Sequence, residues 1–258
     1  MTMNRIMLAA SIGLFLLAAN GQSVLAANEA QAVGVDPDAM ARNGQAERTL
    51  VVGADISVGE RIVTGPTGKV QLLFTDQTHL VVGPGSSLLI ESYLMNGSAT
   101  DRFVVNALAG TFRFVTGNGP KSAYTIKTPS AAIAIRGTGF DLNVGPQDSQ
   151  VMLYKGAVEM CQGKDCVEIT GRCDIGVFGK DGPKHVGWGD ATRSSLLDNF
   201  PLSGLQSTLA SAFRVSGANA CRFPPPDEAP ESLVRNPSSD SDSQGVPGVQ
   251  GAQGPNAN

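Results

Sequence analysis

Residues 128–142 read Thr-Pro-Ser-Ala-Ala-Ile-Ala-Ile-Arg-Gly-Thr-Gly-Phe-Asp-Leu. Ile133 and Ile135 alternate with alanines, and Phe140, Leu142 and Val144 resume the alternation. A period of two marks strands that bury one face. Tyr124, Ile126 and Thr128 alternate just before, and Pro129 has no N–H to give to a ladder, so that strand ends there or lies at an edge. Gly137 and Gly139 let the backbone turn, because glycine alone takes positive φ without penalty. Arg136 stands beside the turn with five fixed donors, enough to tie down several carbonyls at a chain crossing. The stretch therefore predicts a hydrogen-bonded corner between two strands. The competing reading is an anion or carbohydrate site made from Arg136, Thr138 and nearby backbone amides.

Working outward, the same texture continues. Val70, Leu72 and Phe74 alternate with Gln71, Leu73 and Thr75; Phe112 and Phe114 flank Arg113. Turn signals recur at Gly65-Pro-Thr-Gly68, Thr75-Asp-Gln-Thr78, Gly83-Pro-Gly85 and Asn96-Gly97. Many short strands at this spacing predict an all-β fold, a β-roll, a solenoid-like stack or a sandwich. A weak internal echo, Gly59–Gly65 against Gly110–Gly117, fits stacked turns. Strand signals run from residue 49 to about 188. Residues 27–48, polar and alanine-rich with Asp36-Pro37, read as a linker. Beyond Trp188 the pattern changes. Asp190 is placed to cap a helix, and Leu202, Leu205, Leu209 and Phe213 lie at near-helical spacing. A short helical extension is expected over 189–223. Residues 224–258 hold Pro, Ser, Asp, Gly and Asn with few apolar residues and read as a disordered tail.

The start of the chain bears on compartment. One arginine precedes an apolar run from Ile6 to Ala19, shorter than the roughly 20 residues a bilayer-spanning helix needs. Val24-Leu-Ala26 then supplies compact residues for cleavage, so residues 1–26 read as a secretory signal peptide, with a membrane anchor as the competing reading. The product is expected in the periplasm or outside the cell. Four cysteines, Cys161, Cys166, Cys173 and Cys221, then read as two disulfides. Gly163 offers a hairpin turn that sets Cys161 opposite Cys166, which leaves Cys173 for Cys221. Zinc is the rival reading, disfavoured because no paired C-x2-C spacing occurs.

Composition and motifs narrow the chemistry. The net charge of −4 gives no basic excess to neutralise phosphates, so nucleic acid is not an expected partner. The chain lacks G-x-S-x-G and H-E-x-x-H, and its two histidines, His79 and His185, are far apart. Asp76 sits in a turn, where aspartate caps its own backbone, and Asp141 alternates with core positions and should point outward. An acid–base pair made of these two has nothing else to support it. Neither enzymatic activity nor a cofactor is expected.

An ordered series of motifs resembles the FecR domain of bacterial envelope proteins. Val58-Gly-Glu-Arg-Ile-Val-Thr-Gly65 is similar to its opening element. Gln71-Leu-Leu-Phe-Thr-Asp76 followed by Leu80 resembles its F-x-D-G element, with Gln77 where glycine is usual. Gly110-Thr-Phe-Arg-Phe114 resembles the next. Thr128, Pro129, Arg136, Gly137, Thr138 and Phe140 match the family's hallmark around R-G-T, and Gly156-Ala-Val158 its close. The resemblance spans about residues 50–160. It implies a β-rich periplasmic module that works by contact, in its best-understood setting passing an iron-uptake signal towards a sigma factor. That setting uses a spanning helix, which the sequence does not offer after signal cleavage. The expected function is thus a non-enzymatic, exported protein-binding or signal-relay module with a partner protein in the envelope. A carbohydrate- or peptidoglycan-associated module is the alternative, and one Trp with three Tyr is a thin supply of stacking platforms.

Overall fold

A computed structural model describes residues 29–223. The signal-peptide reading of residues 1–26 and the tail reading of 224–258 lie outside the described residues.

Seventeen strands form two hydrogen-bonded layers that share one strand. In chain order they are β1 (Ala30–Asp36), β2 (Ala39–Asn43), β3 (Ala46–Thr49), β4 (Asp55–Ile56), β5 (Arg61–Thr64) and β6 (Lys69–Phe74). Then come β7 (His79–Val82), β8 (Ser87–Asn96), β9 (Ala99–Val115), β10 (Tyr124–Lys127), β11 (Ala132–Ile135) and β12 (Gly139–Val144). The last are β13 (Ser149–Lys155), β14 (Val158–Gln162), β15 (Asp165–Ile169), β16 (Ile175–Gly179) and β17 (Gly182–Val186). One layer runs β4-β1-β6-β7-β9-β12-β13-β16-β17. The other runs β3-β2-β5-β8-β9-β10-β11-β14-β15. Every pairing is antiparallel except β9 with β10. From β6 onward the hairpins fall β6–β7 in the first layer, β8–β9 and β10–β11 in the second, β12–β13 in the first, β14–β15 in the second and β16–β17 in the first. The stack is open at both ends and does not close into a barrel. This is the all-β class the periodicity predicts, and it combines the roll and sandwich readings.

The linker reading of residues 27–48 is corrected. The segment supplies β1, β2 and β3. Its alanines are the reason: Ala30, Ala32, Ala39 and Ala41 alternate and are buried between the layers. Small side chains give a weak periodic signal, yet they fill a narrow core where larger ones would not.

The main core lies between the layers. Leu72, Phe74, Phe112, Phe114, Phe140 and Leu142 project from the first, and Ile62, Ile90, Phe103, Val105, Ile126 and Ile133 from the second. Phe114 stacks on Phe140 at 5.3 Å between centroids. β9 passes between layers at Gly110, where φ is +100° and a Cβ would lie 2.3 Å from Ser86 Oγ.

The first layer is buried on both faces: β13 is buried along Ser149–Tyr154. Its outer face is covered by the extension that follows β17. Near-helical spacing there resolves not into a long helix but into isolated turns: α1 (Arg193–Leu196), α2 (Pro201–Gly204) and 3-10 turns at Leu197–Asn199, Gln206–Thr208, Ser211–Phe213 and Asn219–Arg222. Leu202, Leu209 and Phe213 pack on Val81, Val33 and Leu73, while Leu205 is exposed. Asp190 does not cap α1 directly; its Oδ1 accepts from the backbone N–H and hydroxyl of Thr192. No helix among the described residues is long and apolar enough to cross a membrane.

Candidate functional site

The corner between β11 and β12 carries the chain from one layer to the other. Gly137 takes φ +71°, and Gly156 passes so close that a Cβ there would meet the Gly137 carbonyl oxygen at 2.2 Å. The corner is tied by threonines. The Thr138 N–H donates to Thr116 Oγ1 at 2.9 Å, and the Thr116 N–H to the Thr138 carbonyl at 3.0 Å. Thr128 Oγ1 accepts from the Ala131 N–H at 2.9 Å and closes the turn before β11 around Pro129. Phe140 is fully buried.

Arg136 does not do what its donor count suggested. Its backbone N–H donates to the Ala157 carbonyl, but no carbonyl takes its guanidinium. The side chain is half exposed on the outer face of the second layer, 3.8 Å from Glu159 and 3.6 Å from Glu168. The register explains this. Glu159 lies directly opposite Glu168 across β14 and β15. Like charges opposite one another on adjacent strands repel, and Arg136 stands between them. The arginine holds a surface, not the turn.

Among the described residues, no segment covers that surface. Thr125, Lys127, Ala132 and Ala134 line it beside the two glutamates, and Glu91 receives hydrogen bonds from Lys127 Nζ and Asn106 Nδ2, both at 2.6 Å. The Lys127 and Asn106 donors hold the Glu91 carboxyl below its ordinary range. β15, at the layer's edge, exposes Asp165, Cys166 and Glu168. Cys161 and Cys166 face each other there as a disulfide with Cα atoms 4.1 Å apart. Cys173 and Cys221 form the second, separated by 48 residues and buried. Glu159, Cys161 and Cys166 cluster tightly enough for a metal, but both sulfurs are spent in the bond between them.

The two carboxylates that could have formed an acid–base pair are committed elsewhere. Asp76 is fully buried at the β6–β7 turn. It does cap its own turn, its Oδ1 accepting from the Thr78 N–H at 2.9 Å. It also accepts from Thr78 Oγ1 at 2.8 Å, from Tyr124 OH at 2.8 Å and from Thr100 Oγ1. The Asp76 N–H donates to Tyr93 OH. Burial, and beyond it the Asp76 carboxylate, pushes Tyr93 and Tyr124 up to about 12. Gln77 takes φ +68° at the position where the motif usually has glycine.

Asp141 points outward from the core, as its alternation requires, but the extension covers it. It accepts from Arg113 Nε at 2.6 Å, Arg113 Nη2 at 2.8 Å and Tyr154 OH at 2.7 Å. Arg113 and Asp141 are direct cross-strand partners. Burial pushes the Asp141 carboxyl up, with Arg113 and Tyr154 opposing. Burial also presses on Arg113, but the Asp141 carboxylate more than offsets it and holds the guanidinium above its ordinary value. The sequence showed the alternation and missed the cover, because the cover comes from residues 50 to 100 positions away.

Of the histidines, His79 stacks edge-on against Phe213 at 4.8 Å, and burial lowers its pKa. His185 is exposed, with Nε2 2.6 Å from Asp174 Oδ2. Neither has a nucleophile as a hydrogen-bond partner.

Residues 60–159 match the family described as FecR protein. That interval runs from the end of the β4–β5 turn to the middle of β14, so the resemblance drawn from the motif series stands. No curated protein matches the chain. Two crystal structures of a candidate anti-sigma factor from Parabacteroides distasonis ATCC 8503, at 1.65 and 2.50 Å resolution, align at 15% identity. Their TM-scores are 0.42 and 0.41, and each alignment covers 57% of this chain and 64% of the other.

Proposed function

We infer that this chain is an exported, non-enzymatic FecR-domain module that binds a partner protein of the bacterial envelope and relays a signal by that contact. The observation that carries the reading is the unequal treatment of the two outer faces. The first layer's face is sealed by the extension, by apolar packing and by a buried disulfide. Among the described residues nothing covers the second layer's face, which carries an organised pattern of charge. Arg136, one of the residues that match the FecR hallmark, turns its side chain onto that face rather than into the corner. A sealed face spends its groups on stability; a bare one with ordered ion pairs offers electrostatic complementarity to a partner. The exposed edge at β15 adds main-chain donors and acceptors for strand addition. Two disulfides fit an oxidising compartment outside the cytoplasm.

A sugar platform is the weaker reading. Tyr93, Tyr124 and Tyr154 are all buried, and Trp188 is covered by the Arg193 guanidinium at 4.0 Å. The three tyrosines and one face of Trp188 are therefore taken, and Phe223, exposed at the end of the described chain, stands alone rather than in a platform.

The test is site-specific photocrosslinking in cells. A photoreactive side chain is placed at Ala134 on the bare face and, separately, at Leu205 on the extension. One discrete membrane-protein adduct from Ala134, absent from Leu205 and lost with Arg136→Glu in a protein that still folds, is the expected result. Adducts from Leu205 alone would move the contact surface to the extension and overturn the assignment.

A further inference from the structure

On the far side of the corner from Arg136 lies a cleft of about 390 Å³. Its walls are the Thr116-Gly117 turn, the Gly137–Gly139 corner, Lys155 of β13 and Arg214 to Ser216 of the extension. We propose that this cleft binds the phosphate group of a small phosphate monoester.

Charge is the first argument. Lys155 and Arg214 line the cleft, and no carboxylate does. Lys121 does not line the cleft but stands near one of its walls, its Cε 3.5 Å from where a Cβ on Gly137 would be. Arg172 reaches the rim, its Nη2 donating to the Ser216 carbonyl at 3.3 Å. Arg214 Nε donates to the Leu209 carbonyl at 2.8 Å, a neutral acceptor that leaves its charge uncompensated. Among the described residues none of these four cations forms an ion pair; Arg61, Arg102, Lys164, Lys180 and Lys184 form none either, but these do not meet at one concavity free of carboxylates. Two cations in the lining, with Lys121 and Arg172 beside its walls and no carboxylate among the lining residues, concentrate positive potential at this concavity in a chain of net charge −4.

Shape is the second argument. Gly117, Gly137 and Gly139 bring backbone to the lining, although the side a Cβ would occupy is taken by the chain itself, by the Asp76 carbonyl at Gly117 and by Val215 at Gly139. The volume exceeds that of an inorganic ion and suits a ligand of monosaccharide size. A doubly charged phosphate answers several cations better than a single carboxylate does. A second cleft, at the opposite end of β13 beside Lys180 and Lys184, makes the contrast: Asp148 and Asp181 line it too, so its charge is already balanced.

The experiment is a titration of the disulfide-intact protein followed by backbone amide NMR at constant ionic strength. Glucose 6-phosphate is the probe, with glucose and acetate as controls. Glucose 6-phosphate is expected to shift the amides of Gly117, Gly137 and Gly139 saturably, and the controls are expected not to. Lys155→Gln, at an exposed position, should weaken binding at least fivefold, and Lys184→Gln should leave it unchanged. Arg214→Gln should weaken it further; since Arg214 also holds the extension, Lys155→Gln decides the matter. No saturable shift at the three glycines, wild-type binding by Lys155→Gln, or equal binding of acetate would each overturn the proposal.

Discussion

Asp76 is a buried carboxylate with no cation as partner among the described residues; three hydroxyls and its own turn satisfy it instead. Such an arrangement is costly to disturb, because removing the acceptor strands donors that have no water to turn to. Asp76→Ala should lower stability by about 3 kcal/mol, and Asp76→Asn by less, since it keeps one acceptor. Urea denaturation midpoints for the two variants check this. Equal stability of Asp76→Ala and wild type would mean that the carboxylate is held in place for something other than the fold. The same site sets the alkaline limit. Tyr93 and Tyr124 are raised to about 12 in the folded chain, above the unfolded value near 10. A group whose pKa is raised by folding contributes stability that is complete below the unfolded pKa and is lost as pH rises through the folded one. Burial raises Tyr154 well above its ordinary value too. All three tyrosines of the chain are thus protected. Absorbance at 295 nm should show no tyrosinate near pH 10 and then a steep rise between about 10 and 12 that coincides with loss of β-sheet circular dichroism. A gradual titration centred on 10 in a folded protein would refute the buried knot.

At the scale of elements, glycine position decides more than glycine abundance. Gly163 and Gly110 both take positive φ, +62° and +100°. A Cβ at Gly163 meets nothing within 4 Å, while one at Gly110 falls 2.3 Å from Ser86 Oγ and 2.5 Å from Ser86 Cα. Gly163→Ala should therefore cost only the conformational strain, about 1 kcal/mol, and Gly110→Ala about 3 kcal/mol or more, because β9 must shift where it changes layers. Thermal melts of the two variants separate these outcomes, and similar melting temperatures would rule out the tight crossing. This crossing also shows where sequence reading succeeds and where it stops. Phe112 and Phe114 around Arg113, and Ile133 and Ile135 before the corner, announced their inward faces by alternation. The R-G-T-G corner was legible as a corner because two glycines interrupt a strand pattern. The direction of the Arg136 side chain was not, since it depends on which strand pairs with β14, a contact between residues 132–135 and 158–161. The strands at 30–49 were missed for another reason: alternating alanines give little hydrophobic contrast. The extension was legible in its buried leucines and Phe213, but not in its conformation. Single turns and a long helix share the same apolar spacing over so few residues.

Among the described residues, the extension adds a third layer on the outer face of the first sheet layer and none on that of the second. The third layer depends on a single covalent tie. The extension is made of isolated turns, and its apolar contribution is Leu202, Leu209, Phe213 and Phe200, with Ala218 and the disulfide itself. Turns of three or four residues have no cooperative stability of their own. The Cys173–Cys221 bond, closing a loop of 48 residues, removes chain entropy worth about 4 kcal/mol. The Cys161–Cys166 bond closes only 5 residues between strands already paired, and entropy gains far less there. The double substitution Cys173→Ser/Cys221→Ser should therefore free the extension, while Cys161→Ser/Cys166→Ser should leave it docked. Freed, residues 190–223 would expose Met152, Ile175 and Val81 and admit water to the Arg113–Asp141 pair. Limited trypsin digestion at Arg193 and Arg214, with binding of a hydrophobic dye, reads the difference between the two variants. Rapid cleavage and dye binding only in the Cys173/Cys221 variant is the expected result. Equal protection in both would mean that packing alone seals the first layer, and that the contrast between the two faces owes nothing to the disulfide.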